Sequence, residues 1–185
     1  MIRKIRNRIA RGAAFAGFAA LALLAAPAAH AVDGVALELG RGNDDTNLWR
    51  GALQWNGRDD WLRPTSSLRL RSYWDLSYGQ WRAPDNLTIK DLGLTPVFRL
   101  QGANSVSPYL EAAIGFHLVS NNEVTPDRQL GIHFQFGSHL GAGLRFGPGG
   151  KYDLSLRLQH LSNAGIASPN NGINFGILRL QYHLH

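Results

Sequence analysis

The sequence predicts an all-β fold, an eight-stranded antiparallel transmembrane β-barrel, and three observations carry that expectation. Apolar and polar residues alternate with a period of two in eight successive runs, the rhythm of strands with two unlike faces. Turn residues separate the runs and no helical stretch intervenes, so neighbouring strands are expected to pair antiparallel. The N-terminal segment has the anatomy of an export leader, and no later stretch approaches the roughly 18 uninterrupted apolar residues of a spanning helix. An exported chain of this kind that enters a membrane has to cross it with strands.

The leader is expected over residues 1–31 and the barrel over residues 32–185. Arg3, Lys4, Arg6, Arg8 and Arg11 precede the apolar run Ala13–Ala26, Pro27 and the small-residue cleavage site Ala29-His30-Ala31. These five residues also explain the formal charge of +6. Without them 14 basic residues face 13 acidic ones, a balance of +1 that removes the electrostatic argument for nucleic acid. The absence of cysteine excludes a disulfide scaffold and a thiolate metal site.

The first two runs are the weaker ones, Val35-Leu37-Leu39 around Glu38 and Trp49-Gly51-Leu53-Trp55 around Arg50 and Gln54. The clearest follows over Leu68–Tyr78, with Arg69, Arg71 and Asp75 on one parity. Leu92, Leu94, Pro96, Phe98 and Leu100 alternate with Asp91, Gly93, Thr95 and Arg99, and Leu110, Ala112, Ile114, Phe116 and Leu118 with Tyr109, Glu111 and His117. Phe134, Phe136, Leu140, Ala142, Leu144 and Phe146 oppose His133, Gln135, His139 and Arg145. Leu154, Leu156 and Leu158 oppose Asp153, Ser155, Arg157 and Gln159, and Leu178, Leu180, Tyr182 and Leu184 oppose Arg179, Gln181, His183 and His185.

A soluble sheet would turn these charges to water, whereas a small barrel turns them into a lumen that side chains fill. The opposite face is aliphatic and aromatic in every run, and strands of about ten residues suit a tilted crossing. The barrel is therefore preferred to a secreted sandwich. Glu38, Arg50, Arg69, Arg71, Asp75, Arg99, Glu111, Arg145, Asp153, Arg157 and Arg179 are expected to form a paired internal network that disfavours a solute channel. His117, His133, His139, His183 and His185 share the inward parity and read as lumen hydrogen-bonders, so no metal or other cofactor is expected. Trp49, Trp55, Trp61, Trp74 and Trp81 read as an aromatic girdle. An even strand count puts both termini on the periplasmic side, the Gly147–Gly150 turn with them, and the loops near Gly79, Asn121 and Asn163 outside. The segment Asn56–Pro64 is long for a periplasmic turn.

One hairpin breaks the pattern. His160 and Ser162 have the parity of Leu154, Leu156 and Leu158, the lipid face, where polar groups are expensive and an ionisable one points to function. Their i, i+2 spacing sets them about 6.6 Å apart along one side of the strand, and a serine beside a histidine is a nucleophile beside its base. Asn174 is in phase with Leu178, Leu180 and Tyr182. If the hairpin closes over Asn163–Gly172, Asn174 lies opposite His160 and can orient the imidazole. The competing reading is that these polar residues mark the headgroup boundary of a catalytically silent barrel, an adhesin or structural protein.

His160-Leu161-Ser162-Asn163-Ala164-Gly165-Ile166 and Pro169-Asn170-Asn171-Gly172-Ile173 resemble the signature hairpin of PagL-type lipid A 3-O-deacylases. The likeness is strongest over residues 152–185 and weaker over Pro108–Gly147; before that only the strand rhythm matches. The resemblance implies an eight-stranded outer-membrane barrel whose lipid-facing Ser-His-Glu triad hydrolyses the ester at position 3 of lipid A. It makes Ser162 the nucleophile and His160 the general base, and it puts Asn174 where the family carries an acid. An amide can still hold the tautomer but offers no counter-charge. Asn163 and the backbone N–H groups near Gly165 and Asn170 are the expected oxyanion donors. The implied partners are the lipopolysaccharide substrate and the membrane; the sequence admits a homodimer without specifying one.

Overall fold

The computed structural model describes residues 31–57 and 67–184. The expected leader up to residue 30, Trp61, His185 and the larger part of the Asn56–Pro64 segment lie outside them. Eight strands form a closed barrel: β1 (Gly34–Gly42), β2 (Asn47–Asn56), β3 (Leu68–Arg82), β4 (Thr88–Gly102), β5 (Ser107–Val119), β8 (Phe134–Phe146), β9 (Tyr152–Ser162) and β10 (Ile173–His183). Each pairs antiparallel with its neighbours, and β1 closes the ring on β10 from Gly34↔His183 to Gly42↔Phe175. The segment expected as a turn over Asn121–Arg128 instead carries a small hairpin, β6 (Glu123–Thr125) and β7 (Arg128–Gln129), at the rim opposite the termini.

Period-two alternation sends leucines outward along the whole wall. Leu158, Leu140 and Leu156 are two-thirds or more exposed. A contiguous surface of this kind would aggregate in water and is the ordinary surface of a barrel in hydrocarbon. Inside, Glu38 accepts hydrogen bonds from Arg50 Nε at 2.8 Å, Arg157 Nη1 at 2.8 Å and Arg179 Nη1 at 2.6 Å. Glu111 accepts from Arg99 Nη2 at 2.8 Å, Arg157 Nε at 2.7 Å and the Tyr73 hydroxyl at 2.8 Å. Arg99 also reaches Asp153 at 2.6 Å. These charges carry their desolvation cost because each is shared among several opposite partners, and their side chains pack the lumen among the described residues. Three arginines of the expected network lie less deep than the others. Arg69 is exposed and Arg71 and Arg145 are half-buried, because their strand ends project past the packed lumen at the rim that carries the termini.

Toward the other rim the lumen becomes apolar. Leu48, Trp81, Ile89, Val119, Leu130, Leu161, Ile173, Phe175 and Ile177 form one buried cluster that plugs the mouth. Trp81 is therefore not part of a girdle. It lies on the inward parity of β3, packs tilted against Phe175 with ring centroids 5.2 Å apart and donates its indole N–H to Asp91 at 3.2 Å; Trp49 does face outward. His117, His139 and His183 are buried in the lumen as their parity requires. His133 is not, since it precedes β8 and bonds the Val119 carbonyl at the rim through Nδ1 at 2.8 Å.

Candidate active site

In β9 and β10 the two faces exchange character near the plugged mouth. Lower down, leucines point out while Arg157, Gln159 and Arg179 point in; higher up, Leu161, Ile173 and Phe175 enter the plug while His160, Ser162 and Asn174 point out. The strand period has not slipped. The chemistry has changed sides because the inner face here packs against apolar side chains. Burial of Leu161 and Ile173, neither with any exposed surface, fixes the backbone that carries the polar groups.

The β9–β10 register places Asn174 directly opposite His160. Imidazole Nδ1 and the amide Oδ1 of Asn174 are 2.8 Å apart. Which nitrogen holds the proton follows from the neighbouring bonds. The backbone N–H of Asn174 can only donate, and it donates to Oδ1 of Asn43 at 2.9 Å. That oxygen also accepts from Asn174 Nδ2 at 3.1 Å, which turns the Asn174 carbonyl toward the ring. Facing an acceptor, Nδ1 of His160 is the donor in this contact. Asn43 had no motif to reveal it. Its only sequence signal is parity, since it continues the outward series Leu37, Leu39, Arg41, and its partner comes from barrel closure between β1 and β10.

The tight β1–β2 turn that presents Asn43 places Asp44 and Asp45 at φ 52°, the left-handed conformation a two-residue hairpin turn demands and aspartate tolerates. Asp44 pairs with Arg128 of β7, whose Nη1 donates to the Gly172 carbonyl at 2.6 Å. Gly172 has φ 63°, and a Cβ there would stand 2.8 Å from His160 Cε1, so glycine is required both by the backbone and by the ring beside it. The small hairpin thus braces the histidine from above.

Ser162 closes β9, half-buried on the same outward face as His160 and opposite Phe136 of β8. Phe136 belongs to an outer aromatic cluster with Phe134 and Phe116, ring centroids 5.1 and 5.9 Å away. The expectation that Asn163 and Gly165 offer oxyanion donors meets a loop in which those donors are engaged. The Asn163 side chain is fully buried, donates to the carbonyls of Leu130 at 2.8 Å and Ala167 at 3.0 Å, and accepts from Gly165 N–H at 2.9 Å. Its own backbone N–H donates to Asn170 Oδ1 at 3.0 Å. Asn170, exposed in the loop, keeps its Nδ2 donors without a protein partner among the described residues. Below the site a groove of about 830 Å³ runs along the outer wall, lined by His160, Asn174, Arg41, Leu158, Leu140 and Ile114 among others.

The family model for lipid A 3-O-deacylase (PagL) matches residues 49–183. The chain belongs to the PagL family. It is 36% identical over 148 residues to the lipid A deacylase PagL of Pseudomonas aeruginosa PAO1, covering 79% of this chain and 83% of that protein. With the PagL of Bordetella bronchiseptica RB50 it shares 40% identity over 74 residues, 40% of this chain and 39% of that one. The crystal structure of the outer membrane enzyme PagL superposes with a TM-score of 0.73 at 32% identity, over 80% of this chain and 98% of that one. The PagL fold and the closed barrel described above are the same architecture.

Proposed function

We propose that this outer-membrane barrel hydrolyses the ester joining the 3-hydroxyacyl chain to position 3 of lipid A, with Ser162 as nucleophile, His160 as general base and Asn174 in place of an acidic orienter. The observation that carries the reading is the bond from His160 Nδ1–H to Asn174 Oδ1 on the outer face, locked by Asn43. It leaves Nε2 as the base on the side of the strand that Ser162 shares.

Attack of Ser162 Oγ on the ester carbonyl passes the hydroxyl proton to His160 Nε2 and forms a tetrahedral oxyanion. Asn170 Nδ2 is the side-chain donor that suits this oxyanion, while Asn163 and Gly165 hold the loop that carries it. Collapse breaks the bond to the sugar oxygen, which leaves with the proton from His160 as the free 3-hydroxyl. Water, deprotonated by His160, then attacks the acyl-serine and releases the hydroxy fatty acid. Asn174 orients the ring throughout but lends no charge to the imidazolium. In a serine protease the aspartate-to-asparagine exchange costs about 10⁴ in turnover, largely through the wrong tautomer; here Asn43 imposes the right one, and the loss is confined to the missing counter-charge.

Mass spectrometry of lipid A from cells expressing the chain tests the reading. Loss of one hydroxyacyl mass is expected, absent with Ser162→Ala. Unaltered lipid A with the folded wild-type protein present would refute it.

A further inference from the structure

Arg41 is a charged residue on the lipid-facing parity of β1, in the series Val35, Leu37, Leu39. Its neighbours in the ladder explain why it matters. Arg41 pairs with Gly176 of β10, Gly176 with Leu158 of β9, and Leu158 with Leu140 of β8. This row lies immediately below the row of Asn174, His160 and Ser138. Gly176 contributes no side chain, and a Cβ there would meet nothing nearer than 4.0 Å. A slot one strand wide therefore opens under the His160–Asn174 pair, with Arg41 as one wall and Leu158 as the other, and the groove below the site shares these residues with a second outer groove lined by Leu39, Leu156 and Leu178.

The guanidinium does not stay at the depth of its Cα. It rises to Asp45 in the β1–β2 turn, Nη2 to Oδ1 2.6 Å, with both side chains at least 70% exposed. Long cationic side chains at a membrane boundary rise in this way toward the headgroups. So exposed an ion pair holds weakly, whereas a phosphate offers arginine a bidentate, doubly charged partner. We infer that Arg41 is a specificity-determining residue that exchanges Asp45 for the phosphate on the sugar bearing the scissile ester, and so selects phosphorylated lipid A. The inference rests on the lipid A reading above and adds the headgroup chemistry to it. Arg41 lies about two strand spacings, roughly 10 Å, from the catalytic strand, which lets one sugar ring span the slot between guanidinium and nucleophile.

The test uses the full-length purified protein in neutral detergent micelles, where the only phosphates are those of the substrate. Initial rates are compared on bisphosphorylated lipid A and on the same lipid A lacking the phosphate at C1 of the sugar with the 3-ester. For wild type, kcat/KM is expected to be about tenfold lower on the second substrate, through KM, as for loss of one charge-assisted contact. Arg41→Gln is expected to erase this ratio, Arg41→Lys to restore part of it, and Asp45→Asn to increase it. An unchanged ratio in Arg41→Gln overturns the inference. So does a difference between wild type and Arg41→Gln that emerges only after anionic phospholipid is added, since Arg41 would then be binding bystander headgroups. Failure of wild type to cleave either substrate would instead strike at the lipid A reading itself.

Discussion

In the lumen, Glu38 gathers three guanidinium groups out of reach of water; on the outer wall, His160 touches one neutral amide that is open to solvent. Both clusters are chains of hydrogen bonds assembled across strand pairs that closure brings together. They differ in what surrounds them. The lumen charges are buried on every side, so each must be matched and none is left to react. The outer cluster is matched on one side: Nδ1 of the imidazole meets the Asn174 carbonyl, while no hydrogen bond to Nε2 is found among the described residues. A base that takes a proton from a substrate, as proposed for His160, needs such an open position, and the wall that carries it is held from within through Leu161 and Ile173.

The comparison implies that damage to the outer cluster removes chemistry and spares the fold, while damage to the inner one does the reverse. Ser162→Ala and His160→Ala should each lower lipid A hydrolysis by about 10³-fold or more, with the double variant no worse than either, since members of a catalytic unit are non-additive. Unboiled protein should keep the altered gel mobility of a closed barrel; loss of that shift would place these residues in the scaffold. Glu38→Ala should act in the opposite sense. It takes one carboxylate from Arg50, Arg157 and Arg179, which keep Asp91, Glu111 and Asp75 respectively, and should destabilise the barrel by about 3 kcal/mol, read as a lower thermal midpoint in detergent, with the rate per folded molecule unchanged. A rate loss in the folded fraction would join the two clusters.

Within the outer cluster the effects should be smaller and graded. Asn174→Ala frees the imidazole and should cost about tenfold in kcat, the order of one lost hydrogen bond. Asn174→Asp should exceed the parent rate, because a carboxylate stabilises the imidazolium with a charge-assisted bond. If Asn174→Ala matches the parent while Ser162→Ala is inactive, the orienter lies elsewhere. Asn43→Ala should lower kcat by only a few-fold, since Asn174 remains but turns more freely. Combined with Asn174→Ala it should add nothing, as expected for two residues acting through one bond; an additive loss would give Asn43 a separate role.

Period-two patterning by itself determined the number of barrel strands, the inward or outward sense of most side chains and the antiparallel order, because the pleat ties every second residue to one face. It also singled out His160, Ser162 and Asn174, as polar residues on an otherwise apolar parity, and the turn residues between them implied the pairing of His160 with Asn174. Tertiary structure decided what lies across non-local contacts. Asn43 is more than a hundred residues from Asn174 in the chain and meets it only because β1 closes on β10. Trp81 fills the mouth because the inner face of β3 ends beneath an apolar plug that no single strand announces. Asn163 and Gly165 hold their loop because Leu130, delivered by the β6–β7 hairpin, supplies a buried carbonyl for the Asn163 amide. A sequence records which face a residue takes; which atom waits on that face is set by strands that meet only when the sheet closes.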